Sequence, residues 1–362
     1  MDSTPLLDPA EPAGPRLRAG VAAALDTFLA GQAARLAAIG PETAELLRQA
    51  RAASAGGKRL RPAFCLWGYA AATGELDPPA PVIAAAASLE LLHLSALLHD
   101  DVMDDSATRR GTPASHKQFE AGHAAAGLAG DQAAFGRAGA ILLGDLLLMW
   151  SVELLHRAGP APEQLARGLP LLEQMRTEVT VGQYLDVLAQ AAPLDEAGLG
   201  TAERVVEYKT ARYTVIRPLQ FGAALGGASR ELQHALADFG SPLGRAFQYR
   251  DDLLGVFGDE AVTGKPAGDD LREGKRTALL AHALAGSAPR ARAELAGQIG
   301  RPDADIDRAR QLIMDSGAVA RVEEMIDAGR QQALAALTTA GVPDAARRGL
   351  TGLVARALDR QA

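Results

Sequence analysis

The stretch LLHDDVMDDSATRRG, from Leu97 to Gly111, sets Asp100, Asp101, Asp104 and Asp105 just past an apolar run and follows them with Arg109 and Arg110. Crowded carboxylates repel one another and are costly to desolvate, so they either stay on a solvated surface or hold a metal. Asp100 and Asp104 are four positions apart, which on a helix places them one turn apart on one face. Asp101 lies about 100° round, close enough to support the same site. A second cluster, Asp251, Asp252 and Asp259, closes another apolar segment in FQYRDDLLGVFGDE. The helix macrodipole disfavours acids at a C-terminus. Two such clusters, each followed by a basic loop, therefore read as cation sites. Carboxylate oxygens suit Mg²⁺, which keeps several waters and takes one or two carboxylates plus substrate phosphates.

The basic residues are placed to meet those phosphates. GGKRLRP sets Lys58, Arg59 and Arg61 after a Gly-Gly turn at a helix start, where free N–H groups and positive charge suit an anion. Arg109 and Arg110 follow the first acidic cluster. TGKPAGDDLREGKRT follows the second and carries Lys265 and Lys275, while Lys209-Thr210 puts another cation inside a helix. A diphosphate held partly through Mg²⁺ bridges and partly by Arg and Lys satisfies both sets of groups.

Helices must position these residues. Apolar residues recur at helical spacing almost throughout, and no alternating strand pattern stands out. Expected helices are 16–38, 41–53, 60–73, 79–105, 129–157, 162–188, 198–225, 230–256, 277–285, 305–340 and 344–360. Two longer stretches, 106–128 and 258–276, read as non-helical, and both directly follow an acidic cluster, as functional connectors often do. No fixed-period repeat and no domain linker is visible, which implies one all-α domain spanning 16–362. The first 15 residues are acidic and proline-rich and read as a disordered tail.

Composition narrows the function class. The 362 residues are 48% apolar but only 4% aromatic, a mix that favours helix over strand. The net charge of −7 gives no global pull toward nucleic acid or anionic lipid. The single cysteine, Cys65, excludes an internal disulfide framework and fits a reducing cytoplasm. The most apolar stretches, 82–98 and 138–155, carry Glu90, His93, Asp145 and Glu153. They read as buried helices of a soluble protein rather than as membrane spans.

Taken in order, the motifs resemble those of the trans-isoprenyl diphosphate synthases, most closely the actinobacterial type that makes geranylgeranyl diphosphate. They are GGKRLRP (Gly56–Pro62), ELLHLSALLHDDVMD (Glu90–Asp104), RRG (Arg109–Gly111), GQYLD (Gly182–Asp186), KT (Lys209–Thr210), FQYRDD (Phe247–Asp252) and the GK…GK loop (Gly264–Lys275). The resemblance implies a single-domain helical bundle around a central active-site cavity. It implies catalysis through Asp100, Asp104, Lys209 and Asp251. Asp100 and Asp104 would hold two Mg²⁺ ions and Asp251 a third, with Asp101 and Asp252 supporting them. Arg109, Lys209, Gln248 and Lys265, with Lys275 nearby, would grip an allylic diphosphate; Lys58, Arg61, His93 and Arg110 would bind isopentenyl diphosphate. Gln183, Asp186 and the Thr210 carbonyl would lie near a developing allylic cation. The implied assembly is a cytoplasmic homodimer that uses no nucleic acid. One departure stands out: Gly255 occupies the position where many relatives carry a third aspartate of the second motif, and Asp259 is a candidate for added charge there.

Product length follows from helix geometry. One isoprene unit spans roughly one helical turn, about 5 Å. A chain growing down the 79–105 helix from Asp100 therefore meets Ser95 and Ala96, then Leu92, then Leu89. Relatives that stop at farnesyl diphosphate commonly carry an aromatic residue at the first level; here Ser95 and Ala96 are small. Leu92 or Leu89 could form a floor, and Trp150 and Met149 of a neighbouring helix are further candidates. The expected product is C20, with C15 or longer chains as alternatives. A class I terpene cyclase is a rival, disfavoured because it needs no second diphosphate site. A silent subunit of a heteromeric synthase is another, disfavoured because both acidic motifs are kept.

Overall fold

The computed structural model describes residues 4–194, 198–258 and 268–359. The architecture is all-α, as the periodicity implies. Its helices are α1 (Pro15–Ala37), α2 (Ala44–Ser54), α3 (Leu60–Thr73), α4 (Ala80–Met103), α5 (Ser115–Ala125), α6 (Gln132–Arg157), α7 (Pro162–Ala191) and α8 (Leu199–Val205). A π-helix over Val206–Ile216 runs on into α9 (Arg217–Leu225) and is followed by α10 (Arg230–Phe257). The last are α11 (Asp269–Glu273), α12 (Ala278–Gly286), α13 (Pro289–Ala296), α14 (Ile306–Asp315), α15 (Ala318–Thr339) and α16 (Asp344–Leu358). Starts are fixed locally. Asp131 caps α6 through Ala133 N at 2.8 Å, Ser229 caps α10 through Leu232 N at 3.2 Å, and Asp305 caps α14 through Arg308 N at 3.0 Å.

The sequence pattern gives one domain, whereas the described chain divides into two compact units. The first comprises 4–169, 221–228 and 343–352; the second holds the remaining described residues. In the first, α4 is the central helix and packs on α1, α3, α5 and α6. In the second, α10 is central and packs on the π-helix, α11, α12 and α15. α4 and α6 are long and apolar enough to cross a membrane by length and composition, and two-thirds of the apolar window of α4 is buried within the fold.

Several expectations need correction. From residue 4 onward the N-terminal segment is not a loose tail. Leu7 and Ala13 are buried, and the Trp67 indole donates to the Pro12 carbonyl at 2.7 Å, so apolar burial and one buried hydrogen bond tie the segment down. The 106–128 stretch folds into a short antiparallel hairpin, Thr108–Arg109 (β1) with Thr112–Pro113 (β2), and then α5. The expected 305–340 helix breaks at Gly317, whose φ of 78° lies in the left-handed region. The expected 198–225 helix widens into the π-helix in its middle, and α13 adds a helix where only connectors were expected.

Candidate active site

In the first unit the acidic motif closes α4. Asp100 and Asp101 lie in the last turn, and Asp104 caps it, its N–H donating to the Asp100 carbonyl at 2.9 Å. Three carboxylates thus stand at the negative end of the helix dipole, where a cation offsets both charges. Asp101 is buried and engaged by Arg109, whose Nε donates to Oδ1 at 2.8 Å and to Oδ2 at 3.1 Å. The same guanidinium lies 3.6 Å from Asp100 Oδ2. Arg109 gains this position from the β1–β2 hairpin, whose turn places Arg110 and Gly111 at positive φ. Asp105 is diverted: Lys117 Nζ at 3.1 Å and His116 Nε2 at 3.3 Å, both from α5, take its carboxylate. Lys117 above all holds that carboxyl below its usual range.

The predicted anion site assembles in the same unit. Arg59 sits at φ 52° in front of α3, is buried, and pairs with the equally buried Glu90 of α4 at 2.7 Å. One turn along α4, His93 is held well below the ordinary imidazole value, first by burial and then by the charges of Arg61, Arg110, Arg109 and Arg59. The Arg110 guanidinium rests on Gly57, where a Cβ would come within 3.3 Å of its terminal nitrogen. Its pKa is lowered, chiefly by burial; Glu90 opposes that shift and the neighbouring arginines reinforce it. GGKRLRP, the Glu90–His93 turn and RRG, far apart in sequence, therefore converge on one cationic cluster. Lys58 is exposed at its edge, on the turn formed by Gly56 and Gly57.

The candidate length gauges on α4 differ in accessibility. Leu89, Leu92 and Ser95 are buried, and Ala96 keeps part of its surface open. Trp150 is core, packed edge-on against Phe28 with ring centroids 6.1 Å apart, and Met149 faces solvent.

The second unit gathers the other motifs. Gly182 of α7 meets the π-helix so closely that a Cβ there would fall 2.4 Å from the Lys209 backbone nitrogen, so only glycine fits. One turn on, Asp186 accepts from Lys209 Nζ at 2.6 Å, and Gln183 lies on the same turn of α7 as Gly182. From the π-helix, Thr210 Oγ1 donates to Gln248 Oε1 at 2.5 Å, and Gln248 Nε2 donates to Asp252 Oδ1 at 2.8 Å. A relay thus joins the KT pair to the second acidic motif. Asp252 is 2% exposed, and its Oδ2 has no hydrogen-bond partner among the described residues. Its pKa is pushed up to about 8, by burial first and then by the charges of Asp270 and Asp251, against the Gln248 hydrogen bond. A buried carboxylate so disfavoured as an anion fits a neighbouring cation.

The gap left by Gly255 is filled from elsewhere. A Cβ at that position would lie 1.9 Å from Asp270 Oδ2, so the Asp270 carboxylate of α11 occupies the volume a side chain would take. Lys275 lies 3.5 Å from Asp270 and 2.7 Å from Glu273. Lys265 and Asp259 lie outside the described residues. Among the described residues no three His, Cys, Asp or Glu side chains form a ready-made cage. All-oxygen donors in ones and twos still match Mg²⁺ that leans on phosphates and water. Reading the sequence missed Glu90, Glu178 and Asp270. Glu90 was visible only as an acid inside an otherwise apolar helix, and Glu178 gave no signal among the other charged residues of α7.

Comparison with known proteins gives the family. A family model described as polyprenyl synthetase matches residues 44–315. The chain is 36% identical over 301 residues to the geranylgeranyl diphosphate synthase of Mycobacterium tuberculosis, covering 82% of this chain and 77% of that one. It is 34% identical over 268 residues to the geranylfarnesyl diphosphate synthase of Aeropyrum pernix, covering 73% and 78%. Its fold is similar to the crystal structure of geranylgeranyl pyrophosphate synthase from Corynebacterium glutamicum complexed with isoprenyl diphosphate and magnesium. The TM-score is 0.92 at 39% identity, over 96% of this chain and 99% of that one.

Proposed function

This chain belongs to the polyprenyl synthetase family and is a trans-prenyltransferase, and we propose that it extends dimethylallyl, geranyl and farnesyl diphosphates with isopentenyl diphosphate to geranylgeranyl diphosphate. The observation that carries this reading is the convergence of Arg59, Arg61, His93 and Arg110 into one cationic cluster, in addition to the carboxylates that close α4. An enzyme that handled one diphosphate through metal alone would have no use for it. A condensing enzyme must hold a second.

The proposed roles follow. Lys58, Arg61, His93 and Arg110 hold isopentenyl diphosphate by charge-assisted contacts. Asp100, Asp104 and Asp251 would hold Mg²⁺, with Asp101 and Asp252 behind them, and the metal would offset the negative charge that grows on the departing allylic diphosphate. Arg109, Lys209, Gln248, Lys265 and Lys275 grip that diphosphate. Its C–O bond breaks, the isopentenyl alkene supplies the electron pair for the new C–C bond, and the released diphosphate takes the proton that is lost. Gln183, Asp186 and the Thr210 carbonyl face the allylic cation, and apolar walls keep water from it. The proposed setting is cytoplasmic, in keeping with the single cysteine of the sequence.

Incubating purified enzyme with Mg²⁺, isopentenyl diphosphate and each allylic primer, then sizing the dephosphorylated products, tests the reading. C20 is expected as the main product. A main product of C15 or C25 would overturn the chain length, and absence of any condensation would overturn the function.

Ala96 is the proposed gauge, because it sits one turn below Asp100 and keeps open surface, whereas Ser95 is buried. Ala96→Phe is expected to shift the main product from C20 to C15 while the first condensation survives. The same ring at Ser95 is expected mainly to overpack the core, at a cost of about 1–3 kcal/mol. An unchanged product from a folded Ala96→Phe enzyme would remove Ala96 from the gauge.

A homodimer is the proposed assembly. Phe135, Ile141, Leu142 and Met149 of α6 form an exposed apolar run that a second copy would cover. Light scattering is expected to give twice the chain mass; a monomer at micromolar concentration would refute the assembly.

A further inference from the structure

Glu178 of α7 is nearly fully buried and receives two guanidinium groups. Arg217 donates to it through Nε at 2.8 Å and through its terminal nitrogen at 2.7 Å, and Arg212 donates at 2.9 Å. Both arginines are on or directly after the π-helix. Arg217 is held in turn by Gln220 at 2.6 Å, and Arg212 by Glu207 at 2.8 Å. Burial alone would raise the Glu178 pKa, but the two arginines hold its carboxyl below the usual range.

The placement of this cluster is more informative than its strength. Glu178, Gly182 and Asp186 recur every four residues, so they form one face of α7. All three meet the same segment: Glu178 holds Arg212 and Arg217, Gly182 packs on Tyr208 and Lys209, and Asp186 pairs with the Lys209 ammonium. A π-helix of eleven residues is rare, is intrinsically costly, and occurs mostly where function needs it. Something outside the segment must hold it wide. Asp186 meets the Lys209 side chain, which is itself assigned to substrate. Glu178 meets two arginines that carry no such role.

We propose that Glu178 is a positioning residue: by clamping Arg212 and Arg217 it holds the π-turn open, so that Lys209 and Thr210 are presented to the allylic diphosphate. This rests on the reading of Lys209 as a ligand of that diphosphate. The clamp acts on one substrate, because the residues it holds flank Lys209 and Thr210, whereas isopentenyl diphosphate is assigned to Lys58, Arg61, His93 and Arg110.

Glu178→Gln keeps the shape of the side chain and removes its charge. It is expected to lower kcat/KM for the allylic substrate about tenfold or more while leaving KM for isopentenyl diphosphate near the parent value. Introduced into Lys209→Ala enzyme, it is expected to add little, because the residue it positions is already gone. Amide hydrogen exchange, which needs no turnover, is expected to quicken over 206–216 and to stay at the parent rate in α15. Arg212→Gln, at a partly exposed site, is expected to give the same pattern with smaller amplitude and serves if Glu178→Gln does not fold. Unchanged exchange over 206–216, full additivity with Lys209→Ala, or faster exchange throughout the unit would each overturn the proposal. Quickened exchange confined to 206–216 without the allylic selectivity would leave the clamp standing and instead refute the role given to Lys209.

Discussion

Asp100→Asn and Asp251→Asn are each expected to lower kcat by about 10²–10³-fold at saturating substrates, the scale of losing one preorganised electrostatic partner of developing charge. Asp100 stands in the last turn of α4, where the macrodipole already opposes an acid, and Asp251 lies more than one turn inside the end of α10 beside the buried Asp252. A protein keeps carboxylates there at a cost to its stability, which a bound cation offsets. Asparagine preserves the shape and removes the charge, so the fold should survive while metal-assisted departure of diphosphate does not. Asp105→Asn supplies the internal control. It belongs to the same run of four aspartates, yet Lys117 and His116 occupy its carboxylate, so its loss should leave turnover near the parent value. A radiolabelled condensation assay over a range of Mg²⁺ separates the cases. Comparable loss in Asp100→Asn and Asp105→Asn would mean that the run acts as a diffuse charge, and near-parent turnover in both motif variants would end the metal assignment.

The second large effect is expected on stability. Glu90→Gln should destabilise the protein by about 3–5 kcal/mol, since removing one partner of a buried ion pair leaves the other charge uncompensated. Arg59 and Glu90 have side chains that are each 3% exposed. Glu90 also offsets the charge of Arg110, against which Arg59, Arg109 and Arg61 act. Without it, mutual repulsion in the cluster is less well offset until an anion arrives. Inorganic diphosphate should therefore raise the melting temperature of Glu90→Gln more than that of the parent. Urea unfolding gives the first quantity and a thermal melt the second. A loss below about 1 kcal/mol would show that the pair contributes little to folding, as exposed pairs do.

The amino-acid sequence by itself determined what is set by local spacing. The four-residue interval from Asp100 to Asp104 settles that the two share a helix face, and the Gly56-Gly57 turn ahead of α3 is legible from residue type. Helical periodicity gave the all-α class and the identity of most helices, because a buried stripe recurs every three or four residues wherever a helix packs. The motif order gave the family. What only the tertiary structure decided are pairings between residues distant in the chain. Spacing cannot tell that Arg109 turns back onto Asp101, or that Asp105 leaves its neighbours for α5, since both depend on the path of the hairpin. Nor can it tell that Arg59, one residue past Lys58, points inward to Glu90 while Lys58 stays at the surface. The N-terminal segment reads as a tail by composition, and it is ordered because Trp67 and the core offer it a buried surface. Gly255 reads as a missing acid, and the volume it leaves is taken by Asp270 from a different helix. Each of these outcomes turns on whether burial and a partner charge repay the desolvation of a polar group, and that balance is set by what surrounds the group in space rather than by its neighbours in sequence.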